Sequence, residues 1–197
     1  MSKIEVNQID TISGSSTLLV GPTAATKLTF SSTLTVDFNV NSPGVTLNDT
    51  MKNTPAWDAQ MSAQTLSDNV QAKLQFDTEI IDTDSAYDSS TNYRFTVPSG
   101  KGGVYLVYLK AVSADNGDAV LISYNYGIFK NGTAVKRSYT NFTNNYVDSG
   151  EGTIVALLSL SAGDYVEAYG QINTTGAGPN MFSGVYTSFG GYRLIGA

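Results

Sequence analysis

Ala119-Val120-Leu121-Ile122-Ser123-Tyr124-Asn125-Tyr126-Gly127-Ile128-Phe129 is followed by Lys130-Asn131-Gly132 and then by Thr133-Ala134-Val135-Lys136-Arg137-Ser138-Tyr139. Two runs of β-branched and aromatic residues joined through Asn-Gly form a strong short-range hairpin signal, because that pair tolerates the positive φ angles of a tight antiparallel turn. The same grammar extends in both directions. Upstream, Gly100-Lys101-Gly102-Gly103 leads into a strand over Val104 to Ala114. Asn92 to Val97 reads as a strand ending at Pro98, Ala72 to Phe76 as another, and Ala56 to Met61 as the opening one. Downstream, Ile154 to Leu160 and Tyr165 to Ile172 flank the Ala162-Gly163-Asp164 turn, and the chain closes on Ser183 to Tyr186 and Gly190 to Ile195. Eight to ten strands with no helix between them predict an all-β protein, an antiparallel sandwich or jelly roll over residues 55–197.

The texture changes before Pro55. Residues 1–54 are rich in Ser and Thr and poor in large apolar side chains, and Leu34, Val36, Phe38 and Val40 alternate with polar neighbours. Ser16-Thr17-Leu18-Leu19-Val20 is echoed sixteen positions later by Ser32-Thr33-Leu34-Thr35-Val36, a hint of a repeated strand-and-turn unit. About fifty residues of this kind fall below the size at which one chain buries a sufficient core alone. The expectation is an extended β arm that takes its shape from sister arms or from a larger particle.

Composition narrows the function. Seventeen acidic residues against eleven basic give a net charge of −6, which suits no phosphate-neutralising surface and argues against nucleic acid. Neither His nor Cys occurs, so disulfides and imidazole-based catalysis are excluded and common zinc sites lose their usual ligands. The longest apolar runs are strand-sized and Met1-Ser2-Lys3-Ile4-Glu5 opens no apolar segment, so neither a membrane span nor a secretory signal is expected.

The segment Phe76-Asp77-Thr78-Glu79-Ile80-Ile81-Asp82-Thr83-Asp84-Ser85-Ala86-Tyr87-Asp88 is followed by Tyr93-Arg94-Phe95-Thr96-Val97-Pro98 and Gly103-Val104-Tyr105. Further on stand Leu160-Ser161-Ala162-Gly163-Asp164-Tyr165-Val166 and Ser188-Phe189-Gly190-Gly191-Tyr192-Arg193-Leu194. Taken in order, these elements resemble the globular-head family of the first complement component, one of the tumour-necrosis-factor-like jelly rolls. Val107 and Leu109 stand where that family places aromatics, and the spacing from Tyr87 to Phe95 is one residue longer. The arm, with Ser67-Asp68-Asn69 to Phe76-Asp77-Thr78-Glu79, resembles segments of marine bacteriophage structural proteins. Together the resemblances imply a homotrimer on a virion, its heads about a threefold axis and its arms, residues 1–54, attached to other virion proteins.

The aromatic content agrees with self-association. Tyr105, Tyr108, Tyr124, Tyr126, Phe129, Tyr139, Phe142, Tyr146, Tyr165 and Tyr169 crowd the head, and tyrosine suits interfaces because its ring is apolar while its hydroxyl tolerates water. The expected task is adhesion, as a short fibre or fibre tip contacting a host glycan or protein through Tyr139, Asn141, Asn144, Asn145, Tyr146 and the Gly176–Asn180 turn, read as a hairpin tip. The alternative is a capsid decoration protein. The protein is expected on the particle surface, made in the host cytoplasm.

Asp77, Glu79, Asp82, Asp84 and Asp88 offer oxygens of the kind Ca²⁺ takes, but without the glycine and terminal Glu of a helix-loop-helix site. They read as a solvated loop, with Asp82 and Asp88 as turn residues. No cofactor, metal or catalytic residue is assigned, and no enzyme activity is expected.

Overall fold

A computed structural model of the chain describes residues 54–115, 121–143, 147–176 and 178–194. The predicted arm, 1–54, lies outside them except for Thr54. In chain order the strands are β1 (Ala56–Gln60), β2 (Gln64–Thr65), β3 (Ala72–Lys73), β4 (Thr78–Asp82), β5 (Tyr87–Asp88) and β6 (Arg94–Thr96). There follow β7 (Gly103–Ala114), β8 (Leu121–Lys130), β9 (Thr133–Asn141), β10 (Ser149–Leu160), β11 (Tyr165–Thr174), β12 (Asn180–Met181) and β13 (Ser188–Arg193). All pairings between them are antiparallel.

The first sheet runs β4-β1-β13-β7-β10, with β12 and β2 continuing beside the far end of β7. The second runs β5-β6-β11-β8-β9, with β3 on β11 beyond β6. Strand alternation places the core between them: Tyr105, Val107, Leu109 and Ala111 of β7 point inward and are fully buried, as are Tyr126 and Ile128 of β8. Val107 and Leu109 are therefore core residues. Trp57 stacks on Phe95 with ring centroids 3.9 Å apart and Phe189 meets it edge-on at 6.1 Å, so one aromatic cluster ties β1, β6 and β13 together across the sheets.

The Asn-Gly turn forms as read, with Asn131 at φ 49° and Gly132 at φ 76°. It is bonded to the turn between β10 and β11. Asn131 Nδ2 donates to Asp164 Oδ1 at 2.7 Å, and Asn131 Oδ1 accepts the Tyr165 N–H at 2.9 Å. Asp164 Oδ2 also takes Lys130 Nζ at 2.9 Å and the Ser161 N–H at 2.8 Å. The Gly-Asp motif is thus the clasp between two hairpin ends, and these donors, Lys130 foremost, hold the Asp164 carboxyl down at about 2.

Several expectations are corrected. Ser183 to Tyr186 is no strand: Gly184–Tyr186 forms a 3-10 turn, entered at Gly184 with φ +63° and tied by the Gly184 N–H to Met61 O at 3.0 Å. The Gly176–Asn180 segment is no hairpin tip, since it crosses from β11 in the second sheet to β12 in the first. Ala72 to Phe76 shrinks to the two-residue β3, while Leu74 and Phe76 dip into the core. The acidic stretch is not all loop, for it contains β4 on the edge of the first sheet and β5 on the edge of the second. Strand β10 begins at Ser149 rather than at Ile154, because Gly150 and Gly152 are ladder residues whose missing side chains leave room for the rings of Tyr124 and Tyr126. Thirteen strands among the described residues exceed the eight to ten expected; four of them have two residues each.

Candidate functional site: the open face of the first sheet

The two sheets treat their outward faces differently. On the second sheet the charged and aromatic groups cover one another. Phe129, buried yet outside the core, lies 4.4 Å from the Tyr169 ring and beneath the Arg137 guanidinium, which also bonds Gln71 Oε1 at 2.7 Å. Arg94 sits 4.2 Å over Tyr165, and the buried Glu167 is paired with Lys73, whose ammonium also bonds Asn92 O at 3.0 Å. Each of these three cations is engaged with a neighbour in the same chain.

The first sheet exposes apolar rows instead. Opposite residues in register share a face, so Val155, Tyr108, Gly190, Asp58 and Ile81 form one row across β10, β7, β13, β1 and β4. Leu157, Leu106, Tyr192 and Ala56 form the next. Val155 is 54% exposed, Leu157 65% and Ile81 51%, while Leu106, Tyr108 and Tyr192 are half-buried. Among the described strands β10 pairs only with β7, so no described strand pairs with its other edge beside this face.

Tyr108 is the polar anchor of the patch. Gly190 has no Cβ, and one built there would strike the Tyr108 hydroxyl and lie 2.7 Å from Trp57 O, so the ring reaches across β13 toward β1. There its hydroxyl bonds Asp58 and Ser188, and Ser188 Oγ bonds Asp58 Oδ1. Burial, then the neighbouring Asp58 charge, pushes the phenol up to about 12. The result is an apolar surface whose central polar group is bonded within the chain, bordered in the row beyond Tyr108 by the exposed Lys110–Glu151 pair at 3.6 Å.

Of the residues expected to contact a host, Tyr139 and Asn141 lie together on β9, with Asn141 Nδ2 donating to the Tyr139 hydroxyl at 3.1 Å. Asn180 is on β12 in the other sheet, where its Oδ1 accepts from Thr65 Oγ1 at 2.7 Å. Asn144, Asn145 and Tyr146 lie outside the described residues. Of the aromatics expected to mix core and interface, Tyr105, Tyr124 and Tyr126 are core, Phe142 packs against it, and Tyr108 alone faces outward on the first sheet.

The five carboxylates serve separate local bonds. Asp77 takes the Ser62 N–H, Glu79 the Ser89 hydroxyl, Asp82 the Tyr87 N–H, and Asp84 faces Lys101 at 3.6 Å. Asp88 caps its own turn, accepting the Thr91 N–H at 2.9 Å and the Asn92 side chain at 2.7 Å, which hold it well below the usual carboxylate range. Asp82 and Asp88, read from the sequence as turn residues, are instead the last residues of β4 and β5, with carboxylates that accept N–H groups of the segments that follow. Among the described residues no cluster of three or more His, Cys, Asp or Glu is arranged to hold a metal ion.

The fold of the described head is similar to that of solved jelly-roll domains of the complement and tumour-necrosis-factor type. The globular domain of zebrafish complement 1qA aligns with a TM-score of 0.51 at 17% identity, over 72% of this chain and 98% of that one. The Eiger tumour necrosis factor of S. frugiperda gives 0.52 at 14% identity, over 72% and 93%, and murine APRIL 0.52 at 12%, over 71% and 98%. No family model and no curated protein matches the sequence. The likeness is one of fold.

Proposed function

We propose that the chain is a homotrimeric bacteriophage virion protein, a short fibre or fibre tip whose jelly-roll head adheres to the host surface. The observation that carries the self-association is the open apolar face of the first sheet. Val155 and Leu157 project from β10 beside Leu106, Tyr108 and Tyr192, and the next copy of the chain in a closed ring is its proposed cover, meeting this apolar face with a different patch of its own as a threefold contact requires. The family resemblance of the head supplies the threefold arrangement, and the resemblance of residues 1–54 to phage structural segments supplies the particle. The role is binding, with no chemistry assigned to any residue, and the location is the particle surface.

Light scattering on the purified full-length chain tests the assembly: a mass three times that of the chain is expected, and a monomer at all concentrations refutes it. Antibody labelling of particles tests the placement. Label on the tail together with blocked adsorption by free protein is the expected result; label on the shell with no block establishes the capsid decoration role instead.

A further inference from the structure

At the far end of β7, away from the apolar rows, Ala63, Asn180, Met181, Phe182, Ser183 and Tyr186 enclose an open cavity of about 420 Å³, within the range of small-ligand sites. We propose that this notch binds a neutral saccharide, an inference that rests on the adhesion reading and names its ligand class. No lining side chain carries a charge. The net charge of −6 disfavours an anionic ligand, and no carboxylate in the lining waits for a cation.

What the notch offers is one aromatic platform with neutral hydrogen-bonding groups beside it. Tyr186 is 56% exposed yet held in place, with the Phe182 ring against it at 5.6 Å and 73°. An aromatic face is electron-rich and receives the C–H-bearing face of a sugar ring. Asn180 is fixed by the bond from Thr65 Oγ1 to its Oδ1, which leaves its Nδ2 protons without a partner among the described residues and free to donate to a sugar hydroxyl. Ser183 makes no side-chain capping bond at the start of the 3-10 turn, so its hydroxyl is available as well. Met181, buried at 1% exposure, gives an apolar floor.

The turn bearing Tyr186 is tied at both ends. Gly184 N–H donates to Met61 O, and the Thr187 N–H donates to Gly184 O, each at 3.0 Å. A platform positioned before the ligand arrives loses little entropy on binding, which matters for a ligand that brings few apolar contacts. Asn180 lies opposite Ala114, six residues along β7 from Tyr108, or roughly 20 Å at the strand rise, so the notch is separate from the rows assigned to subunit contact.

The experiment is saturation-transfer NMR on the full-length protein with glucose, galactose and N-acetylglucosamine as separate probes, alongside Tyr186→Ala, Asn180→Ala and Leu157→Thr variants checked for folding by circular dichroism. Transfer to ring C–H protons of at least one sugar is expected, with a Kd in the millimolar range, raised about tenfold by Tyr186→Ala and several-fold by Asn180→Ala, and unchanged by Leu157→Thr. Absence of transfer from all three sugars overturns the proposal. So does transfer that Tyr186→Ala leaves unaltered, or a Tyr186→Ala variant whose mass by light scattering drops, which makes the notch part of a subunit contact. Saccharide binding without competition for particle adsorption sinks adhesion and leaves the site standing; blocked adsorption without saccharide binding does the reverse.

Discussion

Leu157→Thr is the substitution that separates assembly from folding. In the single chain Leu157 is 65% exposed on β10, and threonine brings the branched Cβ that a strand favours, so the stability of an isolated head should change by no more than about 0.5 kcal/mol. If a sister copy covers this side chain, the substitution removes apolar burial from every subunit. Fully burying a leucine contributes about 1.5–3 kcal/mol, and scaling that to the exposed fraction gives about 1–2 kcal/mol per copy. Over three copies the loss is about 3–6 kcal/mol, or about two to four orders of magnitude in the assembly constant. Sedimentation or light scattering over a dilution series reads this directly. The wild type should dissociate at a far lower concentration than the variant, and both should melt alike once diluted to monomer. A variant that assembles as tightly as the wild type refutes the assignment of this face, and one that melts much lower as a monomer shows that Leu157 supports the fold.

Three further outcomes follow from single contacts. Gly191→Ala should destabilise the head by about 1–3 kcal/mol in a denaturant titration, because a Cβ there would lie 2.5 Å from Trp57 Cη2 and 2.6 Å from Leu106 O. Asp164 is depressed from 3.8 to about 2, so its contribution is complete above about pH 5, fades as pH falls through 4 toward 2, and is absent below; Asp164→Asn should flatten that part of the stability profile. Its partly solvated bonds make the loss at neutral pH roughly 1–2 kcal/mol. Tyr108 should ionise near 12, and Asp58→Asn should bring its near-ultraviolet phenolate transition to lower pH, though not fully to 10, because burial is the larger cause.

What the sequence shows clearly is whatever alternates on a half-buried surface. Strands β7, β8 and β11 carry inward apolar residues at every second position, and the Asn-Gly and Gly-Asp turns lie where their backbone demands them. Edge strand β4 escapes because all of Thr78 to Ile81 is exposed, so no face is marked by hydrophobicity. The start of β10 escapes for a different reason: Gly150 and Gly152 carry no side chain that would mark a strand, and only the rings of Tyr124 and Tyr126 across the core explain their place in a ladder. The interface face is half legible. Aromatic abundance suggests contact, yet most of those rings close the core or the second sheet, and the outward surface is marked by the two aliphatics Val155 and Leu157. The notch is not legible locally, since Thr65 and Asn180 meet only through the β2–β12 pairing.

The division of labour between the two groups of residues has a consequence for how assembly relates to folding. Trp57, Phe95, Phe76 and Phe189 form a core completed within one copy, and the Asp164 clasp and the Lys73–Glu167 pair are likewise internal. Trp57 Nε1 is buried without a hydrogen-bond partner among the described residues, but the packing of these rings and the charges of the clasp and the pair are satisfied within one copy. The surface assigned to contact, by contrast, has its central polar atoms matched within the chain through Tyr108, Asp58 and Ser188, so separating copies leaves that cluster intact and exposes mainly hydrocarbon. Dissociation of the head should therefore precede unfolding and depend on concentration, whereas melting of the separated head should not. If the head instead unfolds in the same step in which it dissociates at every concentration, the core described within one chain is not sufficient, and the subunits fold only together.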